Sequence, residues 1–349
     1  MPKKNKSIRV KLIVNPAAGT ASDSADNLKT VVGYLKKNGL KADVARAKPK
    51  AKATPLARQA IKDGYKIVVA MGGDGTVEAV MRGMIGSKVR LGIVPTGIEN
   101  NIAKSLGIPE DMINACAMIA SDTTRKLGVG QVKIGKGKWF YFFEMAGVGR
   151  TKALYPDLTE TVSEDSSSAQ GAVAISAEPE SMPKVFLNLD DESIIAVESM
   201  LVVVSNSQVF GKKFLLAPND TLQDGFLDIS VYQDFTADEL REYYAKMMNG
   251  SYSGNGKVQR YQARKLKVRS SPKLKVMADG MELGKGAVTI KMRPGALRVI
   301  APMNGPELAN LAEDEDIPVQ VKQSPSQPKT QVDKKKLSAP DPTPKKSAS

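Results

Sequence analysis

The side chains available for chemistry in this 349-residue sequence are restricted, because it contains no histidine and a single cysteine, Cys116. A zinc site built from histidine and cysteine and a serine-histidine-aspartate triad are both excluded. One cysteine also cannot form a disulfide within the chain. Catalysis therefore has to use carboxylates, lysines, hydroxyls, backbone dipoles or a metal ion held by carboxylates.

The strongest candidate for chemistry is the segment Gly72 to Thr76, which reads Gly-Gly-Asp-Gly-Thr. It follows an apolar run at 67–70 that is typical of a buried strand, and it precedes a helical pattern. Glycines let the backbone approach a ligand closely, and a helix N-terminus offers free N–H groups to phosphate oxygens. The segment predicts a phosphate-binding loop in which Asp74 holds a metal ion or a water molecule against the phosphates.

Two further loops come directly after predicted strands. Asn15 to Gly19, which reads Asn-Pro-Ala-Ala-Gly, follows an apolar strand, and Pro95 to Asn100 follows a strand that starts near Val89. In a doubly wound sheet the carboxyl ends of the parallel strands face one crevice. We expect these loops to converge with Gly72 to Thr76 on a single nucleotide site.

The first third of the chain alternates short apolar runs with helical patterns, which favours βαβ crossovers and a parallel sheet covered by helices on both faces. The predicted fold class is therefore α/β, with an N-terminal doubly wound nucleotide domain over residues 8–125. The predicted strands are 10–15, 42–45, 66–71 and 89–95, and the predicted helices are 25–37, 54–62, 77–85 and 112–120.

The pattern becomes rich in strands from residue 126, which predicts a C-terminal β-sandwich domain over residues 126–302. Its predicted strands are 139–144, 185–189, 200–205, 226–232, 261–268, 274–278 and 287–291. The remaining residues, 303–349, form a tail rich in proline and lysine with few large apolar side chains. Such a composition predicts disorder, because little apolar area can be buried there.

The chain carries 51 basic and 37 acidic residues, a net charge of +14, which favours anionic partners such as nucleotides or an acidic membrane surface. Neither a basic recognition helix nor an aromatic RNA platform accompanies this charge, so we expect no nucleic-acid partner. Apolar runs are strand-sized, and no small-residue cleavage site follows the N-terminal lysines. We therefore expect a cytoplasmic protein that makes at most peripheral contact with an anionic membrane.

Several of these motifs, taken in order, resemble the diacylglycerol kinase catalytic domain family, which includes soluble bacterial lipid kinases, sphingosine kinases and ceramide kinases. The similar segments are 15–19, 72–76, 95–109, 205–218 and 222–228, the last with the signature Asp224-Gly-Phe-Leu-Asp228. The resemblance covers about residues 8–302. It implies a nucleotide domain, a β-sandwich domain, and ATP-dependent phosphorylation of a lipid hydroxyl, such as that of diacylglycerol, in the cleft between them.

The resemblance also implies which residues form the site. ATP and Mg²⁺ would be bound by Asn15, Gly19, Gly72, Gly73, Asp74, Gly75, Thr76, Gly97 and Asn100. The candidate metal ligands are Asp74 and Asp224, and the candidate catalytic residues are Asp74 and Glu282. Phosphoryl transfer needs an aligned γ-phosphoryl group, a cation and a carboxylate that takes the proton of the attacking hydroxyl.

The sequence departs from the family pattern where acids are expected, with Asn101, Gly128 and Met281 in their places. Methionine can neither accept a proton nor bind hard Mg²⁺. Glu282 stands one position late, and Glu99 is a possible substitute carboxylate. Two alternatives to a lipid kinase stay open: a weakened or inactive homologue with a binding or regulatory role, and a kinase for a soluble substrate related to the NAD kinases.

Overall fold

The computed structural model describes residues 7–16, 24–48, 52–150, 182–206, 209–210, 214–215, 225–236, 239, 242–243 and 256–303. Two predicted site residues, Gly19 and Asp224, lie outside these ranges. The predicted tail also lies outside them, apart from Met303.

The N-terminal part is built on four parallel strands in the order β2-β1-β3-β4. Its elements, in chain order, are β1 Ile8–Val14, α1 Ser24–Lys37, β2 Leu40–Arg46, α2 Ala53–Lys62, β3 Ile67–Gly72, α3 Asp74–Met84, β4 Arg90–Pro95, α4 Asn101–Ser105 and α5 Met112–Ser121. Every residue of β3 is buried, as expected for a central strand covered on both faces.

Helices pack on both faces of this sheet, because each presents one apolar stripe to the strands. On one face, Leu35 of α1 and Ile119 of α5 share a core with Leu12 of β1. On the other, Ala57 of α2 and Val80 of α3 share a core with other strand residues. The predicted doubly wound α/β architecture is confirmed.

Two helical details differ from the prediction. Helix α3 begins at Asp74, with Gly73 as its N-cap, and not at Val77. The apolar spacing that predicted the helix starts only after the glycine-rich turn, so it could not register the first helical residues. The short helix α4 was not predicted, since five residues are too few for a periodic signal.

In the C-terminal part, the regular elements described beyond α5 are all β-strands, apart from the helical residues 239, 242 and 243. Its strands are β5 Thr124–Ile134, β6 Phe140–Phe142, β7 Met145–Gly149, β8 Lys184–Leu189, β9 Ser193–Glu198, β10 Leu201–Ser205, β11 Val209–Phe210, β12 Phe214–Leu215, β13 Leu227–Tyr232, β14 Val258–Ala263, β15 Lys265–Ser271, β16 Lys275–Ala278, β17 Met281–Lys285 and β18 Val288–Ile300.

A six-stranded sheet in the order β14-β13-β10-β7-β16-β17 packs against the C-terminal half of the larger sheet. Fully buried side chains from both sheets meet in one core, including Val204 and Val276 from the smaller sheet and Leu266 and Ile290 from the larger. This arrangement confirms the predicted β-sandwich.

Strand β18 joins the two parts of the molecule. It pairs in parallel with β4 at Arg298 and Val299, and antiparallel with β15 and with β5. The larger sheet therefore contains ten strands, with a register shift between Arg293 and Leu297. The predicted domain boundary between residues 125 and 126 falls inside β5 and stays a prediction.

Two strand predictions were wrong in detail. The stretch 261–268 is two strands, β14 and β15, which belong to different sheets and are separated by Arg264. The carboxylate of Asp190 accepts the backbone N–H groups of Arg264 and Lys265, and so fixes the chain where it changes sheet. The stretch 139–144 forms only the short strand β6, and β7 begins directly after it.

Within the described residues, none of the helices combines the length and the apolar content that crossing a lipid bilayer requires.

The contact between β5 and β6 gives a test of the fold. A Cβ added to Gly130 would lie 2.1 Å from the ring of Phe142, which is fully buried. We expect Gly130→Ala to lower the free energy of unfolding by about 1–3 kcal/mol, the usual cost of overpacking. The matched control is Gly33→Ala in α1, where an added Cβ meets nothing within 4 Å.

The control should raise the free energy of unfolding by about 0.5–1 kcal/mol, because alanine has the better helix propensity. Denaturant titration followed by circular dichroism measures both variants. A Gly130→Ala protein as stable as wild type would contradict the packing of Phe142 on Gly130.

Candidate functional site

Three loops meet at the carboxyl ends of β1, β3 and β4. The Asn15 N–H donates to the carbonyl oxygen of Met71 at 3.2 Å, and the Thr96 N–H donates to that of Gly72 at 3.1 Å. Gly73 and Gly97 are in backbone contact, since a Cβ added to Gly97 would lie 2.5 Å from the Gly73 Cα. The close approach of the two loops therefore requires glycine at this point.

The loop Gly72 to Thr76 ends in an open helix N-terminus. The N-cap of α3 is Gly73, which has no side chain to accept a hydrogen bond from the first turn. Gly73, Asp74 and Gly75 are each partly accessible, whereas Thr76 is buried against Gly72. The N–H groups of a first helical turn attract anions, so this end of α3 suits a phosphate group.

Asp74 lies at this helix N-terminus and also contacts α4. Its Oδ1 accepts the backbone N–H of Ile102 at 3.1 Å. The carboxylate thus orients the start of α4 relative to α3 and presents negative charge beside the glycine-rich turn. An acid in this position suits a cation that accompanies phosphates.

Asn100 shapes the third loop. Its side chain accepts the Gly97 N–H at 2.9 Å and donates to the Gly97 carbonyl oxygen at 3.0 Å. Its backbone is left-handed, with a φ of 55°. Although it was predicted to bind nucleotide, in the structure both side-chain polar atoms bind its own turn, and they hold Gly97 against Gly73.

A buried carboxylate connects this region to the β-sandwich. Asp279, whose side chain is 3% exposed, accepts the backbone N–H groups of Phe143, Glu144 and Met145 at 2.9–3.2 Å. It also forms an ion pair with Arg82 of α3 at 3.3 Å. Burial raises the pKa of Asp279, while these N–H groups and the guanidinium act in the opposite direction.

Arg82 reinforces that connection from the helix side. It donates to the Tyr141 carbonyl oxygen at 2.7 Å, and its guanidinium lies 5.0 Å from the centre of the Phe143 ring. The same guanidinium approaches Glu78, one turn earlier in α3, at 3.6 Å. The helix that begins at the glycine-rich loop is therefore tied to the segment that contains Glu144.

Glu144 is an acid that sequence reasoning missed. Burial raises its pKa well above the ordinary value, and four neighbouring carboxylates raise it further. In decreasing order of effect, they are those of Asp74, Glu78, Asp279 and Glu99. The only sequence signal was an acidic residue inside the otherwise apolar and aromatic run Phe140 to Gly149.

Glu78 belongs to the same acidic group. Burial raises its pKa to about 8, with repulsion from Asp279 and Asp74 adding to the shift and Arg82 opposing it. The structure thus brings together five carboxylates near the glycine-rich turn: Asp74, Glu78, Glu99, Glu144 and Asp279. Such groups favour an arriving cation and can hold a proton near neutral pH.

The carboxylates do not form a metal cage by themselves. In the part of the chain that the structure describes, no three acidic or cysteine side chains are arranged to hold a metal ion. Mg²⁺ commonly binds through one or two carboxylates together with substrate phosphates. Asp74 beside the helix N-terminus fits that mode, in which nucleotide phosphates and water would supply the other oxygen ligands.

The structure does not bring Glu282 to this group. Its carboxylate is about half exposed and pairs with Lys275 at 3.3 Å. On β17 it lies opposite Met277, whereas Met281 lies opposite the buried Ala278. The one-residue offset noted in the sequence therefore does place Glu282 on the other strand face. Its assignment as a base stays a prediction that this geometry does not support.

Comparison with known proteins agrees with the fold and the order of the motifs. Residues 9–132 match the diacylglycerol kinase catalytic domain, and residues 178–301 match the YegS C-terminal NAD kinase beta sandwich-like domain. A diacylglycerol kinase of Bacillus subtilis is 26% identical over 280 residues, which cover 78% of this chain and 89% of the relative.

A diacylglycerol kinase of Mycobacterium tuberculosis is 28% identical over 258 residues, covering 72% of this chain and 82% of the relative. Among solved structures, a diacylglycerol kinase from Bacillus anthracis superposes with a TM-score of 0.66 at 21% identity, covering 84% of this chain and 97% of the other. That likeness shows a shared fold. The chain belongs to the family in which a diacylglycerol kinase catalytic domain is followed by a YegS-type C-terminal β-sandwich.

Proposed function

We propose that the protein is an ATP-dependent lipid kinase that transfers the γ-phosphoryl group to a lipid hydroxyl such as that of diacylglycerol. The main observation behind the proposal is the N-terminus of α3, which has no side-chain cap and begins at Asp74, one of a group of neighbouring carboxylates that includes the buried Glu144 and Asp279. The names of the curated relatives support this substrate class. Bound Mg²⁺ would neutralise phosphate charge at Asp74.

Glu144 is our candidate for the base. It lies on the segment held by Asp279, and the negative charge of nearby Asp74 helps to raise the pKa of its carboxyl group. Ionised Glu144 would take the proton of the attacking hydroxyl as the oxygen bonds to the γ-phosphorus and the bond to ADP breaks. Burial raises its pKa, which makes its ionised form a stronger base than an exposed glutamate.

The substrate class is tested by assaying phosphoryl transfer from radiolabelled ATP in mixed micelles. Diacylglycerol, monoacylglycerol, sphingosine and ceramide serve as lipid acceptors, and NAD serves as the soluble acceptor. We expect label in a lipid product. Transfer only to NAD would support the soluble-substrate alternative, and ATP binding without transfer to any acceptor would support an inactive homologue.

The role of Asp74 predicts the effect of Asp74→Asn. The asparagine oxygen can still accept the Ile102 N–H, so the loop keeps its shape, but the negative charge is lost. We expect affinity for ATP in the presence of Mg²⁺ to fall by about 10–100-fold, the range typical of weakened metal sites. Affinity measured without Mg²⁺ should change much less.

Titration calorimetry with and without Mg²⁺ provides both affinities, and Asp63→Asn at the end of α2 is the matched control. If Asp74→Asn binds ATP with wild-type affinity and the same Mg²⁺ dependence, Asp74 does not bind the metal ion.

The role of Glu144 predicts that Glu144→Gln lowers kcat by about 10²–10⁴-fold, the usual contribution of a general base. The wild-type rate should rise with pH through the raised pKa of Glu144, because only the ionised carboxylate accepts a proton. The glutamine variant should lose that dependence. ATP affinity, measured separately, should change little.

Two controls separate the candidate bases. Glu282→Gln should leave kcat close to wild type, because that carboxylate is paired with Lys275 away from the acidic group. Met281→Glu in the Glu144→Gln background should restore part of the rate if the family geometry is retained. A large loss in Glu282→Gln with none in Glu144→Gln would assign the base to Glu282.

The acidic group also predicts a pH dependence of stability. Glu78 holds its proton to about pH 8 in the folded protein, well above the ordinary value of 4.5. The folded state therefore binds more protons than the unfolded chain between these values, and unfolding free energy falls as pH rises. Glu78→Gln should lose less stability than wild type between about pH 5 and about pH 9 in thermal unfolding. Parallel pH curves for the two proteins would show that Glu78 titrates normally.

A further inference from the structure

One face of the larger sheet is strongly basic. Along β5, β18 and β15, the residues Val132, Ile290 and Leu266 are buried in the sandwich core, so their neighbours in sequence point to the opposite, outer face. The cations on that face, called here the basic face, are Lys133, Lys184, Lys265, Lys267, Arg269 and Lys291. All six are partly or fully exposed.

The strand register concentrates this charge. Lys291 of β18 lies directly opposite Lys265 of β15, and like charges in that position destabilise a sheet. Asp191 offsets part of the repulsion, because it pairs with Lys265 and Lys267 at 2.5 Å. Glu198, opposite Lys184, is a second acid beside the six cations of the basic face.

Apolar and aromatic side chains are interspersed with these cations. Trp139 lies between Lys133 and Lys291, whose ammonium groups are 4.7 and 4.5 Å from its ring centroid. Phe186, opposite Arg269, is 42% exposed, and Ile194 of β9 is 73% exposed. A charged surface that also exposes large apolar side chains matches the interface of a lipid bilayer better than the backbone of a nucleic acid.

We infer that the basic face docks on an anionic lipid bilayer. The lysines would approach the phosphate groups of anionic lipids, while Trp139 and Phe186 enter the interfacial layer. The choice of a bilayer as the partner rests on the lipid kinase function proposed above. The charge and exposure of the face are independent of it.

The test is co-sedimentation of the full chain, without ATP, with vesicles of phosphatidylcholine alone or with added phosphatidylglycerol. We expect binding only to the anionic vesicles, with loss at about 1 M salt, where the Debye length is about 3 Å. Lys133→Gln/Lys291→Gln should bind about 30-fold more weakly, since each lysine near an anionic surface contributes about a fivefold factor.

The matched control is Lys41→Gln/Lys62→Gln, which removes the same charge from exposed positions on β2 and α2. It should retain most of the affinity, and equal losses in the two double variants would overturn the assignment to the basic face. Unchanged binding of Lys133→Gln/Lys291→Gln would overturn it as well. Trp139→Ala is the second variant, with circular dichroism to confirm folding, and it should weaken vesicle binding in its own right.

Two further measurements separate this inference from its alternatives. Fluorescence polarisation with duplex DNA or RNA identifies a nucleic-acid surface, and such binding without vesicle binding would overturn the proposal. Kinase activity in detergent micelles should be unaffected by Lys133→Gln/Lys291→Gln. Vesicle binding without kinase activity would reject the proposed function and leave the docking surface supported. Kinase activity without vesicle binding would reject the docking surface and leave the proposed function supported.

Discussion

The geometry of the site depends on the buried carboxylate of Asp279. It accepts hydrogen bonds from three successive backbone N–H groups and forms an ion pair with the guanidinium of Arg82. Arg82 belongs to the helix that starts at the glycine-rich turn, and the three N–H groups belong to the segment around Glu144. An uncompensated charge at Asp279 would be costly in the interior. The same contacts that satisfy it therefore fix the distance between the turn and the buried acids.

Much of the fold follows from local sequence patterns. Apolar runs and helical spacing predicted the parallel sheet, and the glycines around Asp74 predicted a turn between β3 and α3. The contact of Gly73 with Gly97, however, joins residues 24 positions apart, and sequence spacing can only suggest that such loops converge. The division of the stretch 261–268 between two sheets depends on Asp190, from a distant hairpin, and no local pattern contains it.

The acidic group could not be predicted from local sequence patterns either, because most of its members are distant from one another in the sequence. Glu78 and Glu144 look ordinary in sequence, and they become unusual because the fold removes them partly or fully from solvent beside Asp74 and Asp279. The sequence did show that an acid is missing at Met281, and it offered Glu282 and Glu99 as substitutes. The strand register places Glu282 away from the acidic group. Glu144 belongs to that group instead, although its neighbours in sequence are apolar.

The register shift in β18 has a mechanical consequence. This strand and β5 pair antiparallel on both sides of the shift, from the N-terminal sheet into the sandwich, so sliding one part past the other would break hydrogen bonds in both paired stretches. The shift between Arg293 and Leu297 interrupts that ladder at Pro294 and Gly295, where the φ of glycine is 58°. Pro294 and Gly295 are therefore the point at which the β5–β18 pair has the fewest ladder hydrogen bonds to resist bending.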